Sequence, residues 1–267
     1  MINPSSTIAT MTMNHQSEGM NFWQHLNELR KRLLRSALAI MIGFSVAYCF
    51  HREIFRILRI PFDTAYQNVF NTKPILISIS MMEGFMVYLK MSVLVGFFAA
   101  SPVIFYQLWK FIAPGLRDNE KKHVVPFVTL ATIFFVGGAV FGYFLVFPKG
   151  FEYFLMVTQG ENIEPMIQMD QYYRLASWML VGFGASFEGP LILLYLVFFR
   201  ILSTKQLMQS WRGAMIGILA LSAIITPTPD IGTMVMMSVP LMAMYGITIL
   251  FSIFLSRKDK AKISSGS

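Results

Sequence analysis

A handful of carboxylates carry whatever specific chemistry this sequence can offer. Glu188 is the sharpest of them, because it is the sole charge between Leu175 and Phe199 and stands near the middle of that run. A carboxylate at such a depth is costly, so it faces a partner, a wet cavity or a hydrogen bond inside a helix bundle. Around it, Phe187-Glu188-Gly189-Pro190 sets the acid beside a glycine that admits close approach and a proline that removes a helical bond. Glu28 shares a helix face with His25, Arg32 and Arg35, and Glu120 lies in a basic turn. Left to themselves, such surface acids are solvated ion-pair members worth ~0–1 kcal/mol. Asp230 follows Pro229 and precedes an apolar run, which is the place for a helix N-cap.

No catalytic set stands beside these acids. His15, His25, His51 and His123 are scattered, none falls in a His-Glu-x-x-His pattern, and there is no phosphate-cradling loop. No serine or aspartate has a partner at useful spacing within an apolar run. Metal ligation, a cofactor and catalysis are therefore not expected.

The elements that must hold these residues are membrane spans. Of 267 residues, 55% are hydrophobic and 13% charged, the composition of a polytopic membrane protein. The net charge of +8 sits at the ends of apolar runs rather than along one basic stripe, which argues against nucleic acid as a partner. The lone cysteine, Cys49, excludes an intramolecular disulfide and reads as a small packing residue. Residues 1–20 read as a disordered tail, neither secretory signal nor transit peptide. Residues 21–256 form the membrane domain, and 257–267 a basic tail.

Within the membrane domain an amphipathic helix starts at Asn21 and becomes a span over Leu33–Phe50. A loop over His51–Glu83 opens with a basic amphipathic segment lying in the interface and ended by Pro61. Ile75, Ile77 and Ile79 then alternate like a short extended piece. The second span covers Gly84–Trp109 with Pro102 as a kink, and the third Val124–Phe147, where Gly138 and Gly142 allow close helix packing. Between them Phe105–Lys122 forms a turn in which Tyr106 and Trp109 suit the headgroup level and Pro114-Gly115 reverses the chain. An outer loop spans Pro148–Arg174, the fourth span Leu175–Phe199. The fifth, between Arg212 and Pro227, is too short for a normal bilayer, and the sixth covers Ile231–Leu255. Most Lys and Arg fall on one side when both termini are cytoplasmic, which is the orientation expected.

Four stretches resemble signatures of one family. His25–Leu33 (HLNELRKRL) is similar to the N-terminal signature of the TatC family, the core subunit of the twin-arginine protein translocase. FYQLWKFIAPGL with Glu120-Lys121-Lys122 resembles its first cytoplasmic loop, GFGASFEGP at 182–190 its fourth-helix motif, and TPTPD at 226–230 its last outer turn. The resemblance covers about residues 21–256.

It implies an all-α membrane protein of six transmembrane helices, with short helices five and six and amphipathic outer-loop segments. It places the chain in a bacterial cytoplasmic membrane or an organelle-encoded equivalent. Its implied function is that of a receptor for twin-arginine signal peptides and the core of a translocase for folded proteins, driven by the proton-motive force. Glu28 and Glu120, with His25, Leu29 and Arg30 beside them, would receive the arginine pair. Glu188, Phe187 and Pro190 would contact the single helix of a TatA/TatB-type partner, and Asp230, Pro102 and Pro114 would be structural. Homo-oligomers within a receptor complex are implied as well. Met234 and Gly246 stand where the family often has polar residues. Two other readings compete: a secondary transporter with Glu188 as its ion site, and a basic lipid-binding scaffold.

Overall fold

The computed structural model describes residues 22–112, 124–160, 165–199, 201–226 and 231–264. Its first helix, α1 (Phe22–Cys49), runs antiparallel to α3 (Glu83–Ile112), and this is the most extensive helix pair. The two meet backbone to backbone at Gly43 and Gly96: a Cβ on Gly96 would lie 2.4 Å from the Phe44 nitrogen. Beyond that contact much of α1 turns Leu33, Leu34, Leu38 and Met41 outward. In water that would be a fault, but it is what lipid requires.

Among the described residues five helices are long and apolar enough to cross a bilayer, and α8 (Trp211–Ile225) is a shorter apolar one. With 15 residues α8 spans about 22 Å at ~1.5 Å per residue, against a hydrocarbon core of ~30 Å. The sixth helix departs from the short one expected: the apolar part of α9 (Ile231–Ser264), Ile231–Phe254, is itself long enough to span, and the helix continues into the basic tail to reach 34 residues. α4 (Val124–Phe141) packs on α6 (Met169–Phe198) through the predicted glycines. A Cβ on Gly138 would meet the Phe183 carbonyl at 2.7 Å, and one on Gly142 the Phe183 ring at 2.6 Å.

Two outer-loop expectations give way to helix. Pro61 does not end the basic segment, since α2 (His51–Phe70) continues through it. Proline at 61 has no N–H for the Ile57 carbonyl. The Tyr143 hydroxyl donates to that oxygen instead, at 2.5 Å, while Tyr172 and Tyr173 donate to Leu58 and Phe55 at 2.6 and 3.0 Å. Rather than lying alone in the interface, α2 packs on α5 (Phe147–Gly160), with Phe62 and Phe151 in edge-to-face contact.

The second departure is α5 itself, which occupies part of the loop expected over Pro148–Arg174. A π-turn at Gly142–Val146 joins it to α4 without a break. The Phe147 N–H bonds to the Gly142 carbonyl, one residue farther back than in an α-helix. That wider turn just ahead of Pro148 makes room for a proline that an α-helical turn disfavours. The extended piece is present: β1 (Leu76–Ile77) pairs in parallel with β2 (Ile167–Gln168). The Glu83 carboxylate fastens the two strands' ends, accepting from the Ile79 and Asp170 N–H groups, both at 2.8 Å. Cys49 is exposed at the end of α1 and not packed, its thiol donating to the Ser45 carbonyl.

The tyrosine contact on α2 yields a double-mutant prediction. Tyr143→Phe orphans the Ile57 carbonyl and should cost about 1–3 kcal/mol in thermal unfolding of the detergent-purified protein. In a Pro61→Ala background, where residue 61 regains its N–H, the same change should cost much less. Equal costs in both backgrounds would show that the hydroxyl does not substitute for the missing bond.

Candidate functional site

Because α1 and α3 are antiparallel and cross at Gly43 and Gly96, the first turn of α1 lands on the last turn of α3. There the His25 imidazole stacks on Phe111, with ring centroids 4.3 Å apart and an interplanar angle of 22°. One turn on, Glu28 is half-buried and ion-paired to Arg32, whose Nε donates to Oε1 at 3.0 Å. The other oxygen, Oε2, is buried and has no hydrogen-bond partner among the described residues. Leu29 and Arg30 are exposed beside it. Four of the expected recognition residues thus sit on one short helical stretch. Glu120, Pro114 and Asp230 lie outside the described residues.

Trp109 corrects the expectation of a headgroup-level aromatic. It is buried, packing on Phe127 at 4.2 Å and on Phe199 at 5.9 Å, and its indole N–H has no partner among the described residues. Tyr106 does stay half-exposed, with the Lys110 ammonium 4.8 Å above its ring. Hydropathy could not separate the two, because both occur at the same end of one apolar run. What decides is that Trp109 shares its face with a buried aromatic cluster supplied by α4 and α6.

Glu188 lies on a stripe of α6 bounded by two contacts. Four residues earlier, Gly184 abuts Phe135 of α4, and seven residues later Tyr195 packs against Phe127. Its Oε1 is buried without a partner among the described residues, as is the Ser101 hydroxyl on α3. Ser101 falls between Phe98 and Phe105, which both pack on the same Phe135, so the two polar groups lie at a similar depth. Sequence reading missed Ser101, since a serine within an apolar run is commonplace.

Phe187, expected to touch a partner helix, turns the other way. It is buried against Gly138 of α4 and lies 5.6 Å from the Phe141 ring. Pro190 is buried too, and its carbonyl accepts from the Thr248 hydroxyl of α9 at 3.3 Å. Pro102 sits inside α3, which passes through it unbroken. Among the described residues no group of His, Cys, Asp and Glu could hold a metal ion.

Residues 24–240 match the family described as Sec-independent protein translocase protein (TatC). The chain belongs to the TatC family. A TatC protein of Desulforapulum autotrophicum is 40% identical over 252 residues, covering 92% of this chain and 90% of its own length. One of Koribacter versatilis is 33% identical over 246 residues, with 92% and 89% covered. A crystal structure described as the twin arginine translocase receptor TatC superposes with a TM-score of 0.72 at 34% identity, covering 87% of this chain and 99% of that one. The six-helix frame with its short α8 is therefore a TatC fold, and the chain is a multi-pass membrane component of a protein translocase family.

Proposed function

We propose that this TatC-family chain is the twin-arginine signal-peptide receptor and core subunit of a translocase exporting folded proteins. Its setting is a bacterial cytoplasmic membrane, or an organelle-encoded equivalent, and the proton-motive force drives the process. The observation that carries this reading is the Glu28 carboxylate, with one oxygen on Arg32 and the other buried at the α1–α3 junction without a partner among the described residues. Such an oxygen favours an incoming guanidinium, whose planar fork makes directional bonds to a carboxylate. A pair of arginines needs a second acid, and Glu120 stands in the segment that continues from α3. Leu29 offers an apolar contact beside them, and His25 holds the turn against Phe111. The chain acts by binding, without catalysis.

Charge asymmetry supports placing both termini in the cytoplasm. Glu188 is assigned to the contact with a TatA/TatB-type single-span partner, within a receptor complex that holds further copies of this chain. Its Oε1, buried without a partner among the described residues, supports that role, and Pro190 and Gly189 border the same stretch of α6. The test of function is complementation. In cells lacking their own core subunit, this chain with its single-span partners should restore export of a folded reporter behind a twin-arginine leader, not behind a twin-lysine one. Equal export of both leaders, or of neither, would count against the assignment.

Glu188 gives a graded prediction. Glu188→Gln keeps a donor and an acceptor and should retain co-purification of the single-span partner, whereas Glu188→Leu should lose most of it. Wild-type co-purification by Glu188→Leu would make the acid a packing feature. A Gln variant as defective as Leu would mean that ionisation is required, which favours the ion-coupled transporter.

A further inference from the structure

A groove of about 550 Å³ opens between α1, α3 and α6 at the end of the bundle where β1 and β2 lie. Lys90 and Arg174 stand at its mouth with Trp178, and its walls below are Leu94, Phe97 and Val181. From Lys90 to Phe97, and from Arg174 to Val181, the helices descend about 10 Å at ~1.5 Å per residue. The groove is thus cationic at headgroup depth and apolar beneath.

The charges at the mouth do not cancel. Lys90 is bonded to Asp170 at 2.6 Å, and Asp170 is fixed at the start of α6 because its N–H is held by Glu83. Arg174, one turn on, is exposed and has no acidic partner among the described residues. Snorkelling alone explains a cation near the water, but not a second one set over an apolar slot beside a pair already formed. Trp178 is 55% exposed at the rim, as suits an interfacial anchor.

We propose that this groove binds an anionic phospholipid of the leaflet on the β1/β2 side. Its phosphate would be held by Arg174 and Lys90, and an acyl chain would lie along Leu94, Phe97 and Val181. A helix is the poorer occupant, because transmembrane helices approach through small residues and the floor here is Leu, Phe and Val. A second groove in the same molecule, of about 330 Å³, does have small residues, Gly189, Ala214 and Gly217, among the Ile and Leu of its lining, and carries no cation. The lipid site stands or falls independently of signal-peptide recognition, which is placed at the opposite end of α3.

The probe is phosphatidylglycerol against phosphatidylcholine, retained on the full-length protein in mixed micelles and counted by native mass spectrometry. Wild type should retain phosphatidylglycerol in preference. Arg174→Gln should lower that retention about fivefold, the effect of one cation near an anionic headgroup, and leave phosphatidylcholine unchanged. Arg174→Lys should keep most of it. Asp170→Asn, which frees Lys90 and preserves the N–H that Glu83 holds, should raise it. Equal retention of the two lipids by wild type, or unchanged phosphatidylglycerol in both Arg174→Gln and Asp170→Asn, would overturn the site. So would a photo-reactive side chain at Val181 that crosslinks in native membranes to a single-span protein and not to lipid.

Discussion

Replacing Glu28 and Glu120 together with lysine should abolish export of twin-arginine precursors while the protein still accumulates in the membrane. Each acid is assigned a charge-assisted bond of about 1.5–3 kcal/mol to a guanidinium, so each loss weakens the peptide roughly tenfold to a hundredfold. A lysine adds repulsion to that loss. At residue 28 it also stands one turn from Arg32, which loses its partner, so the charge change is local to the recognition surface. Accumulation of the protein in the membrane is the control for stability, because the Glu28–Arg32 pair at the start of α1 is partly buried. Glu28→Gln separates the two effects: it keeps the shape and should lose affinity without adding repulsion. Unchanged export in the double-lysine variant would remove the recognition role from both residues.

Gly96→Val should be at least as damaging, for a different reason. Its Cβ would lie 2.4 Å from the Phe44 nitrogen and 2.8 Å from the Gly43 carbonyl carbon. Both atoms are backbone, so no rotamer change relieves the clash and the helices must part. Overpacking that flexible side chains absorb costs about 1–3 kcal/mol, and this site has none to move. Parting α1 from α3 also separates His25 from Phe111, so recognition should fail along with packing. With Cys49 replaced, a cysteine pair at positions 25 and 111 should crosslink in the parent and not in Gly96→Val. Gly137→Ala, where an added Cβ meets nothing within 4 Å, is the control and should behave like wild type. Normal crosslinking in Gly96→Val would mean that the glycine contact does not set the helix spacing.

The parts of this molecule legible in the sequence are those that depend on neighbours along the chain. Apolar runs with at most one charge located the spans, and the few residues between Arg212 and Pro227 announced the short α8. Gly138 and Gly142 announced a close helix contact because helix spacing alone puts them on one face, and the structure shows α6 to be the partner. What escaped depends on partners far away in sequence. Pro61 reads as a helix end until Tyr143 is seen donating to Ile57 from 86 residues away. Trp109 and Tyr106 share one amphipathic turn, and only the aromatic residues of α4 and α6 decide which is buried. Phe187 looked like a companion of Glu188, but it is buried against Gly138 and Phe141 of α4, neighbours more than forty residues away that the motif does not contain. At the candidate site the motif gave the acids, whereas the burial of one Glu28 oxygen and the stacking of His25 needed the antiparallel crossing of α1 and α3.

Crosslinking at Leu29 tests the central claim most directly. Leu29 is exposed beside Glu28, and a photo-reactive residue in its place leaves both acids intact. In native membranes, a twin-arginine signal peptide should crosslink there, a twin-lysine version should not, and Glu28→Lys with Glu120→Lys should abolish the adduct. Equal crosslinking of the two peptides, or an adduct that survives the double-lysine variant, would contradict recognition of the arginine pair by these acids.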